Sequence, residues 1–247
     1  GLGEMHIDVI TSKLKNRFGT TVTISPAKVP YRETIKKKVQ VEGKHKKQSG
    51  GHGQYGHVKI EFSPGTTDGL EFTETIFGGS VPKNFHPAVE KGLQESMAKG
   101  VLAGYPVIGI KANLFDGSYH DVDSSEMSFK LAANLAFKEG MKQGGAVLLE
   151  PVGELRVSIP TSYSGDIMGD ISKRRGRIMG MSESGRKGFT VIEAEVPSAE
   201  MGTYAIQLRA MTQGRGSYSF NFVRYEEAPA EVAAKVIEAA KKEAAVE

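Results

Sequence analysis

The sequence predicts an α+β protein with two successive domains. After Glu150-Pro151, strand-like and helix-like segments follow in the order β-α-β-β-α-β, which is typical of a ferredoxin-like domain. Before that point, strand-like alternation recurs from Tyr31 onwards, and two segments with helical spacing interrupt it. A chain of 247 residues is long enough to bury one or two such cores.

Residues 1–29 predict a helix followed by a short strand. Apolar residues recur at helical spacing over residues 4–18, and Gly19 follows as a C-cap. Thr20–Ile24 then alternates like a strand. One helix and one strand cannot close a core, and the chain starts at Gly1 without an initiator Met. We therefore interpret residues 1–29 as the remnant of an upstream domain.

Residues 30–150 predict the first complete domain. Its first helix is expected from about Asn84 to Ala98, between strand-like runs that alternate apolar and polar residues. In the last of these runs, the even-numbered residues from Ile108 to Leu114 share one face. The strands are expected at Thr34–Val41, Tyr55–Phe62, Leu70–Ile76 and Val107–Leu114.

The second helix of this domain is predicted from near Asp123 towards Met141. Asp123 and Glu126 form an Asp-x-x-Glu arrangement that is typical of a helix N-terminus. Three apolar residues recur every four positions and therefore predict the core-facing side of the helix: Met127, Leu131 and Leu135.

Residues 151–226 predict the ferredoxin-like domain, and residues 227–247 a C-terminal helix. Ser198 is expected to cap the second helix of the domain, which runs to Met211. The final helix, Pro229–Ala245, is polar with a narrow apolar stripe, and we expect it to dock on the domain at 30–150. The remaining elements are expected at Gly153–Ile159, Gly165–Lys173, Arg177–Met181, Phe189–Val196 and Ser217–Tyr225.

Composition excludes several classes of function. The absence of cysteine excludes disulfides, thiolate metal sites and cysteine nucleophiles, and it suits the cytoplasm. The sequence has neither a signal peptide nor an apolar run near the ~20 residues of a membrane span. Gly43-Lys44 is followed by His45, so it is no phosphate-binding P-loop. We expect no enzymatic activity, no catalytic residue, no metal and no cofactor in this chain.

A run of lysines and two glycine-rich turns leave RNA binding open. His52, Gln54, Tyr55 and His57 lie in one turn, and Tyr119 and His120 lie in the other. Such flat polar side chains suit stacking and hydrogen bonding to irregular RNA. The alternative is that the turns are only structural, the tyrosines pack inward and the lysines are a solvated face. The lysines are opposed only by Glu42: Lys36, Lys37, Lys38, Lys44, Lys46 and Lys47.

The sequence around these turns resembles bacterial elongation factor G. SGGHGQYGHVKIEF (49–62), LAGYPV (102–107) and LFDGSYHDVDSSEMSFKLAA (114–133) are similar to its fourth domain. GDIMGDISKRRGRI (165–178), EVPSAEMGTYAIQLRAMTQGRGSYSF (195–220) and YEEAP (225–229) are similar to its fifth domain. The start of the chain, from GLGEMHIDVI to YRET, resembles the end of the third domain. The similarity runs along almost the whole chain.

This resemblance implies a ribosome-binding, C-terminal part of a translational GTPase. It implies an elongated, ribosomal-protein-like arm with a mixed sheet and two helices, followed by the ferredoxin-like domain. The parent protein would promote GTP-dependent translocation of tRNA and mRNA, with GTP and magnesium bound outside this chain. The implied partners of a monomeric factor are the rRNA of both subunits, tRNA and mRNA in the decoding region, and stalk-base proteins.

The resemblance also implies two sets of contact residues. The tip of the arm is formed by two loops, Ser49–Gly56 and Asp116–Asp123, with His120 at the tip position. The fifth domain lies near the sarcin–ricin loop, and four cations are expected to reach its phosphates: Lys173, Arg174, Arg175 and Arg177. The expected contacts at the tip are Ser49, Gly50, Gly51, His52, Gly53, Gln54, Tyr55, Gly117, Ser118, Tyr119, His120 and Asp121.

Two positions depart from the family pattern. His52 stands where the family usually has Arg, and Gly109 replaces a commonly acidic residue. These departures leave open a recycling or ribosome-protection paralogue. A free-standing RNA-binding module is the alternative from another class.

Overall fold

The computed structural model describes residues 4–25, 27–48 and 53–244, which form two compact units. The mixed-sheet unit comprises Tyr31–Leu149 and Glu227–Glu247, and the ferredoxin-like unit comprises Gly1–Pro30 and Glu150–Glu226. The predicted α+β class is confirmed. The elements are α1 (Glu4–Phe18), β1 (Arg32–Ile35), β2 (Val39–Lys47), β3 (Gln54–Pro64), β4 (Leu70–Glu74), α2 (His86–Met97), β5 (Ile110–Ser118), α3 (Glu126–Gln143), β6 (Ala146–Pro160), α4 (Ser164–Lys173), β7 (Arg177–Glu183), β8 (Phe189–Pro197), α5 (Tyr204–Thr212), β9 (Ser217–Glu227) and α6 (Ala230–Ala244).

The mixed-sheet unit is built on a four-stranded sheet with the order β2-β3-β5-β4. The β2–β3 and β3–β5 pairs are antiparallel, whereas β4 and β5 are parallel because α2 connects them as a crossover. Alternation along β3 buries Val58, Ile60 and Phe62, and these residues pack with α2 and α3 in one core.

Helix α3 lies very close to the sheet because glycines face it. A Cβ atom on Gly43 of β2 would collide with the carbonyl of Ala132 and lie 2.6 Å from the nitrogen of Ala136. A Cβ on Gly56 of β3 would collide with the carbonyl of Ser128. The absence of side chains on the sheet therefore allows the backbone of α3 to approach the strands.

The predicted core face of α3 is wrong. Met127, Leu131 and Leu135 are 61%, 38% and 43% exposed. The buried face carries the small residues that fit against the glycines, together with larger side chains in the core. These buried residues are Ser128, Phe129, Ala132, Ala133, Ala136, Phe137, Gly140 and Met141.

The ferredoxin-like unit contains the predicted β-α-β-β-α-β order. Its strands lie in the order β9-β6-β8-β7, and β8 is antiparallel to both β6 and β7. Helices α4 and α5 contribute Ile171 and Leu208 to a core that also contains Leu155 and Ile192 from the sheet. Along the strand predicted at Gly153–Ile159, the apolar residues Leu155, Val157 and Ile159 lie on the buried face.

Several predicted boundaries are wrong. Residues 20–25 form no strand, because no described strand pairs with them. The run Thr34–Val41 divides into β1 and β2, and the amides of Lys36 and Lys37 between them donate to the carbonyl of Gly144. Ser198 begins a short 3-10 helix, and α5 begins only at Tyr204. The strand predicted at Gly153–Ile159 is longer than expected, because β6 begins at Ala146 and passes through the predicted boundary at Glu150-Pro151. The other predicted elements occur within a few residues of their expected bounds.

Candidate nucleic-acid interface

Antiparallel pairing of β3 and β5 places the two predicted tip loops side by side. His57, near the start of β3, is opposite Ser118, the last residue of β5. The first loop therefore enters β3 where the second loop leaves β5. Of the residues predicted at the tip, Ser49, Gly50, Gly51 and His52 lie outside the described residues, and the others lie in or beside these loops.

Hydrogen bonds connect the two loops and brace the second one. The amide of Gly53 donates to Asp123 Oδ1 at 3.0 Å, and the amide of Tyr55 donates to the Asp123 carbonyl at 2.9 Å. The hydroxyl of Ser124 donates to the Tyr55 carbonyl at 2.9 Å and accepts from the amide of His120 at the same distance. The loops are therefore joined through backbone groups as well as side chains.

His120 braces its own turn and also has an exposed ring. Its Nδ1 accepts from the amides of Val122 and Asp123, each at 3.3 Å. A neutral ring with Nδ1 as the acceptor carries its proton on Nε2. The side chain is 56% exposed, so the imidazole can donate from Nε2 to an external acceptor. The Tyr55 ring lies beside it, with the two ring centroids 6.5 Å apart.

Tyr55 is held by a chain of polar contacts across the sheet. Its hydroxyl shares a hydrogen bond of 2.7 Å with Ser118 Oγ, which shares another of 2.7 Å with His57 Nδ1. On the far side, His57 Nε2 lies 3.0 Å from Glu42 Oε1 without hydrogen-bond geometry. Burial lowers the pKa of His57, and this effect exceeds the opposing effect of Glu42. We interpret these contacts as bracing of Tyr55, because Ser118 Oγ is shared by the tyrosine and the histidine.

The remaining described residues of the second loop are more exposed. Tyr119 and Val122 are 44% and 64% exposed, and Asp121 is also exposed. Gly117 is enclosed instead, since a Cβ there would collide with the carbonyl of His57. The second loop is therefore tightly packed where it follows β5, and Tyr119 beyond that point is exposed to solvent.

Some lysines of the run pair with acidic residues, and others lie near the first tip loop. Lys36 and Lys38 lie 2.7 Å from Glu227 and Glu61, respectively. Lys44, Lys46 and Lys47 are exposed at the end of β2 that leads into the first tip loop. The Nζ atom of Lys44 lies 5.7 Å from the Tyr55 ring centroid. Only the lysines at the end of β2 therefore place positive charge beside the first tip loop.

Arg174 is buried within the ferredoxin-like unit. It is 7% exposed, its Nε donates to Asp170 at 2.8 Å, and its guanidinium lies 5.0 Å from the Tyr204 ring centroid. It also donates to the Glu200 carbonyl and to Gln207. These contacts occupy the guanidinium inside the unit, so the expectation that Arg174 is available to an external phosphate is wrong for this conformation.

Arg175 and Arg177 also have acidic partners, whereas Lys173 is exposed. Arg175 binds Glu150 in a bidentate arrangement at 2.7 and 2.9 Å, and its Nε donates to Glu200 at 3.0 Å. These hydrogen bonds raise the pKa of Arg175 further above its ordinary value. Arg177 pairs with Glu195 but is largely exposed. Lys173 and Arg177 are therefore the better placed of the four predicted phosphate contacts.

Sequence reasoning placed His57 and Asp123 in the two tip segments without predicting their contacts, and it left Ser124 out of the tip. The alternation of β3 places His57 on the same face as Tyr55, which was a usable signal. Asp123 had been interpreted as a helix cap, but Ser125 is the N-cap and accepts from the amide of Ser128 at 3.2 Å. The Asp-x-x-Glu prediction is therefore wrong, and the carboxylate of Asp123 binds the opposite loop.

The described part of the chain shows neither a metal-binding cluster nor a membrane-spanning helix. Within residues 4–25, 27–48 and 53–244, no group of three His, Asp or Glu side chains is arranged to hold a metal ion. None of the helices in these ranges is long and apolar enough to cross a membrane.

Comparison with known proteins assigns families to both halves of the chain. The family described as elongation factor G, domain IV, matches residues 27–145, and the elongation factor G C-terminus family matches residues 147–236. An elongation factor G-like protein of Thermotoga maritima is 51% identical over 244 residues, which are 98% of this chain and 36% of that protein. A crystal structure of a Thermus thermophilus protein matches with a TM-score of 0.88 and 43% identity, over 97% of this chain and 36% of the other. The chain thus spans about a third of the length of these relatives.

Proposed function

This chain belongs to the elongation factor G family, and we propose that it is the ribosome-binding part of a GTPase that promotes translocation of tRNA and mRNA. The mixed-sheet unit acts as an arm whose tip enters the decoding region. The ferredoxin-like unit meets the large subunit near the sarcin–ricin loop and the stalk base, through Lys173 and Arg177. The factor acts in the cytoplasm.

The observation that carries this proposal is the braced tip. Backbone hydrogen bonds hold the second loop against the first, while His120 and Tyr119 remain exposed. A surface that must occupy a defined place in RNA gains affinity when it is ordered before binding. An imidazole donor and a flat phenol ring suit the exposed bases and sugar hydroxyls of irregular RNA.

The tip supplies position, and the chemistry of GTP takes place elsewhere. His120 Nδ1 accepts from two backbone amides and thereby braces a turn, so we assign the residue a steric and hydrogen-bonding role. GTP and magnesium would be bound by the part of the factor outside this chain. Nucleotide hydrolysis then acts on the arm through conformational linkage.

The test uses a longer factor in which this chain replaces the matching 244 residues of the Thermotoga maritima relative. The substitution His120→Ala should slow tRNA–mRNA movement by about tenfold or more, the cost of losing a hydrogen bond to a charged acceptor. Ribosome-dependent GTP hydrolysis should change little. His120→Gln, which retains an N–H donor, should recover part of the rate.

Asp68→Ala, in an exposed loop of the same unit, is the control and should leave both rates unchanged. Unchanged movement in the His120→Ala factor would contradict the role of His120. Stimulation of subunit splitting without any translocation would favour the recycling paralogue, which the histidine at position 52 supports.

A further inference from the structure

A carboxylate of the second tip loop binds the first loop at Gly53, the first described residue before β3. We propose that Asp123 is a positioning residue that holds the two loops together, so that they meet RNA as a single unit. The inference rests on the proposed function for its RNA partner. The link itself is a property of this chain and can be measured without a ribosome.

The bond between Asp123 and Gly53 joins an ionised acceptor to a backbone donor. Asp123 Oδ1 lies 3.0 Å from the Gly53 nitrogen, and the carboxylate is only 27% exposed. Hydrogen bonds to a charged acceptor are stronger than neutral ones, and partial burial reduces competition from water. This contact is therefore a stronger restraint than an exposed loop usually has.

The residue at position 53 must be small for this contact to form. A Cβ atom on Gly53 would lie 2.8 Å from Asp123 Oδ2 and 2.9 Å from Asp123 Cγ. Any side chain there would push the carboxylate away from the amide that it accepts from. Gly53 and Asp123 therefore form a matched pair, one from each loop.

Asp123 also contacts the His120 ring. Its amide donates to His120 Nδ1 at 3.3 Å, and its Oδ2 lies 3.6 Å from the same nitrogen. The amide of Tyr55 donates to its carbonyl. Asp123 thus contacts the first loop, the start of β3 and the exposed imidazole. Because all three contacts share this residue, a change in one loop is expected to move the other loop.

Amide hydrogen exchange of this chain tests the link directly. In Asp123→Ala, exchange at Gly53 should be at least about tenfold faster, because the amide loses a charge-assisted acceptor. Asp123→Asn keeps the Oδ1 acceptor and should exchange more slowly than the alanine variant. Asp68→Ala should match the unsubstituted chain, and unchanged exchange at Gly53 in Asp123→Ala would overturn the inference.

A second substitution approaches the same contact from the other loop. Gly53→Ala should displace the carboxylate sterically and speed exchange at the amide of residue 53, relative to its intrinsic rate. If Asp123→Ala destabilises the whole unit, Gly53→Ala and Asp123→Asn still distinguish a local link from global unfolding, because amides in the middle of β3 report the latter. Equal acceleration at the tip and in mid-strand would contradict a local positioning role.

The longer factor then tests whether the link matters for movement. Asp123→Ala should slow tRNA–mRNA movement with little change in GTP hydrolysis, and Asp123→Asn should restore most of the rate. Normal movement in Asp123→Ala despite fast exchange at Gly53 would refute the positioning role. Failure of the unsubstituted factor to move tRNA would contradict the proposed function instead, and the exchange result would still decide whether Asp123 holds the loops.

Discussion

Among single residues, Arg174 shows how burial changes the meaning of a basic motif. In the sequence it stands in the run Lys173–Arg175, which favours an interface with phosphate. In the structure its guanidinium binds Asp170 and lies against the Tyr204 ring. The ion pair with Asp170 is local, since the two residues are four positions apart on α4. The contacts with Glu200, Tyr204 and Gln207 depend on α5 and on the segment before it, which are distant in sequence. No local pattern around Arg174 could therefore have predicted its burial.

We predict that Arg174→Ala lowers the free energy of unfolding by about 3 kcal/mol, because removal of one member of a buried ion pair leaves the other charge uncompensated. Urea unfolding of this chain measures the change. Lys173→Ala, one residue away and exposed, should change it by less than ~0.5 kcal/mol. Similar small effects for both variants would mean that Arg174 is free to bind an external phosphate.

The lowered pKa of His57 should make the free energy of unfolding depend on pH. Its pKa in the folded chain lies below the ordinary value of 6.5, since burial outweighs the attraction of Glu42, and Lys44 and Lys59 add to the lowering. The unfolded chain therefore takes up a proton more readily than the folded chain. The stabilising contribution of neutral His57 is complete above pH 6.5 and is lost as the pH falls towards the lowered pKa.

His57→Gln removes this titration. Between pH 7.5 and pH 5.5 the unsubstituted chain should lose more stability than the variant, as measured by urea unfolding at each pH. The difference between the two should shrink on acidification. Parallel loss of stability in both proteins would show that His57 titrates alike in the folded and unfolded chains.

At the scale of elements, the contact between α3 and the sheet was the least predictable from sequence. Periodicity located α3 well, but the four-residue spacing of Met127, Leu131 and Leu135 predicted the wrong face as its core side. The buried side is instead selected by fit, since alanines and a serine face Gly43 and Gly56. An apolar stripe of helical period shows that a helix exists, and the partner surface decides which stripe is buried.

Gly43→Ala should destabilise the chain by about 3 kcal/mol, because the added methyl group collides with the backbone of α3. The matched control is Gly169→Ala in α4, where an added Cβ has no atom within 4 Å. The control should raise stability by up to ~1 kcal/mol through helix propensity. Destabilisation of similar size in both variants, measured by urea unfolding, would contradict the close packing of α3.

At the scale of the whole molecule, charge is balanced more closely than the basic motifs suggest. The net charge is only +3, and acidic partners lie beside Lys36, Lys38 and Arg177. A protein of this kind has little general attraction for phosphate and depends on shape for recognition. This balance favours the proposed ribosomal arm over a free-standing RNA-binding module.

We therefore predict weak binding of this chain to isolated duplex RNA. The salt dependence of log Kd should correspond to about three phosphate contacts, a slope of ~3, which matches the exposed Lys44, Lys46 and Lys47. Fluorescence anisotropy over a range of salt concentrations measures both quantities. Submicromolar binding with a much steeper slope would favour the free-standing module.

The fold was predictable at this scale because local patterns agreed with it, whereas the tip was predictable only in part. Strand alternation and the β-α-β-β-α-β order identified the fold class, and the glycine-rich turns located the two loops. The bonds of Asp123 could not be foreseen, because the same Asp-x-x-Glu spacing is also typical of a helix cap. The pairing of a side chain with a distant amide follows from tertiary structure alone.

The chain order of the two units has a consequence for biosynthesis. The mixed-sheet unit is completed by residues 227–244, where the amide of Ala228 donates to the Leu148 carbonyl and Glu227 pairs with Lys36. These residues are synthesised after the whole of β6 to β9. The strands of the ferredoxin-like unit are therefore synthesised before α6, and the mixed-sheet unit, whose β1 to β5 come first, is the last to be completed.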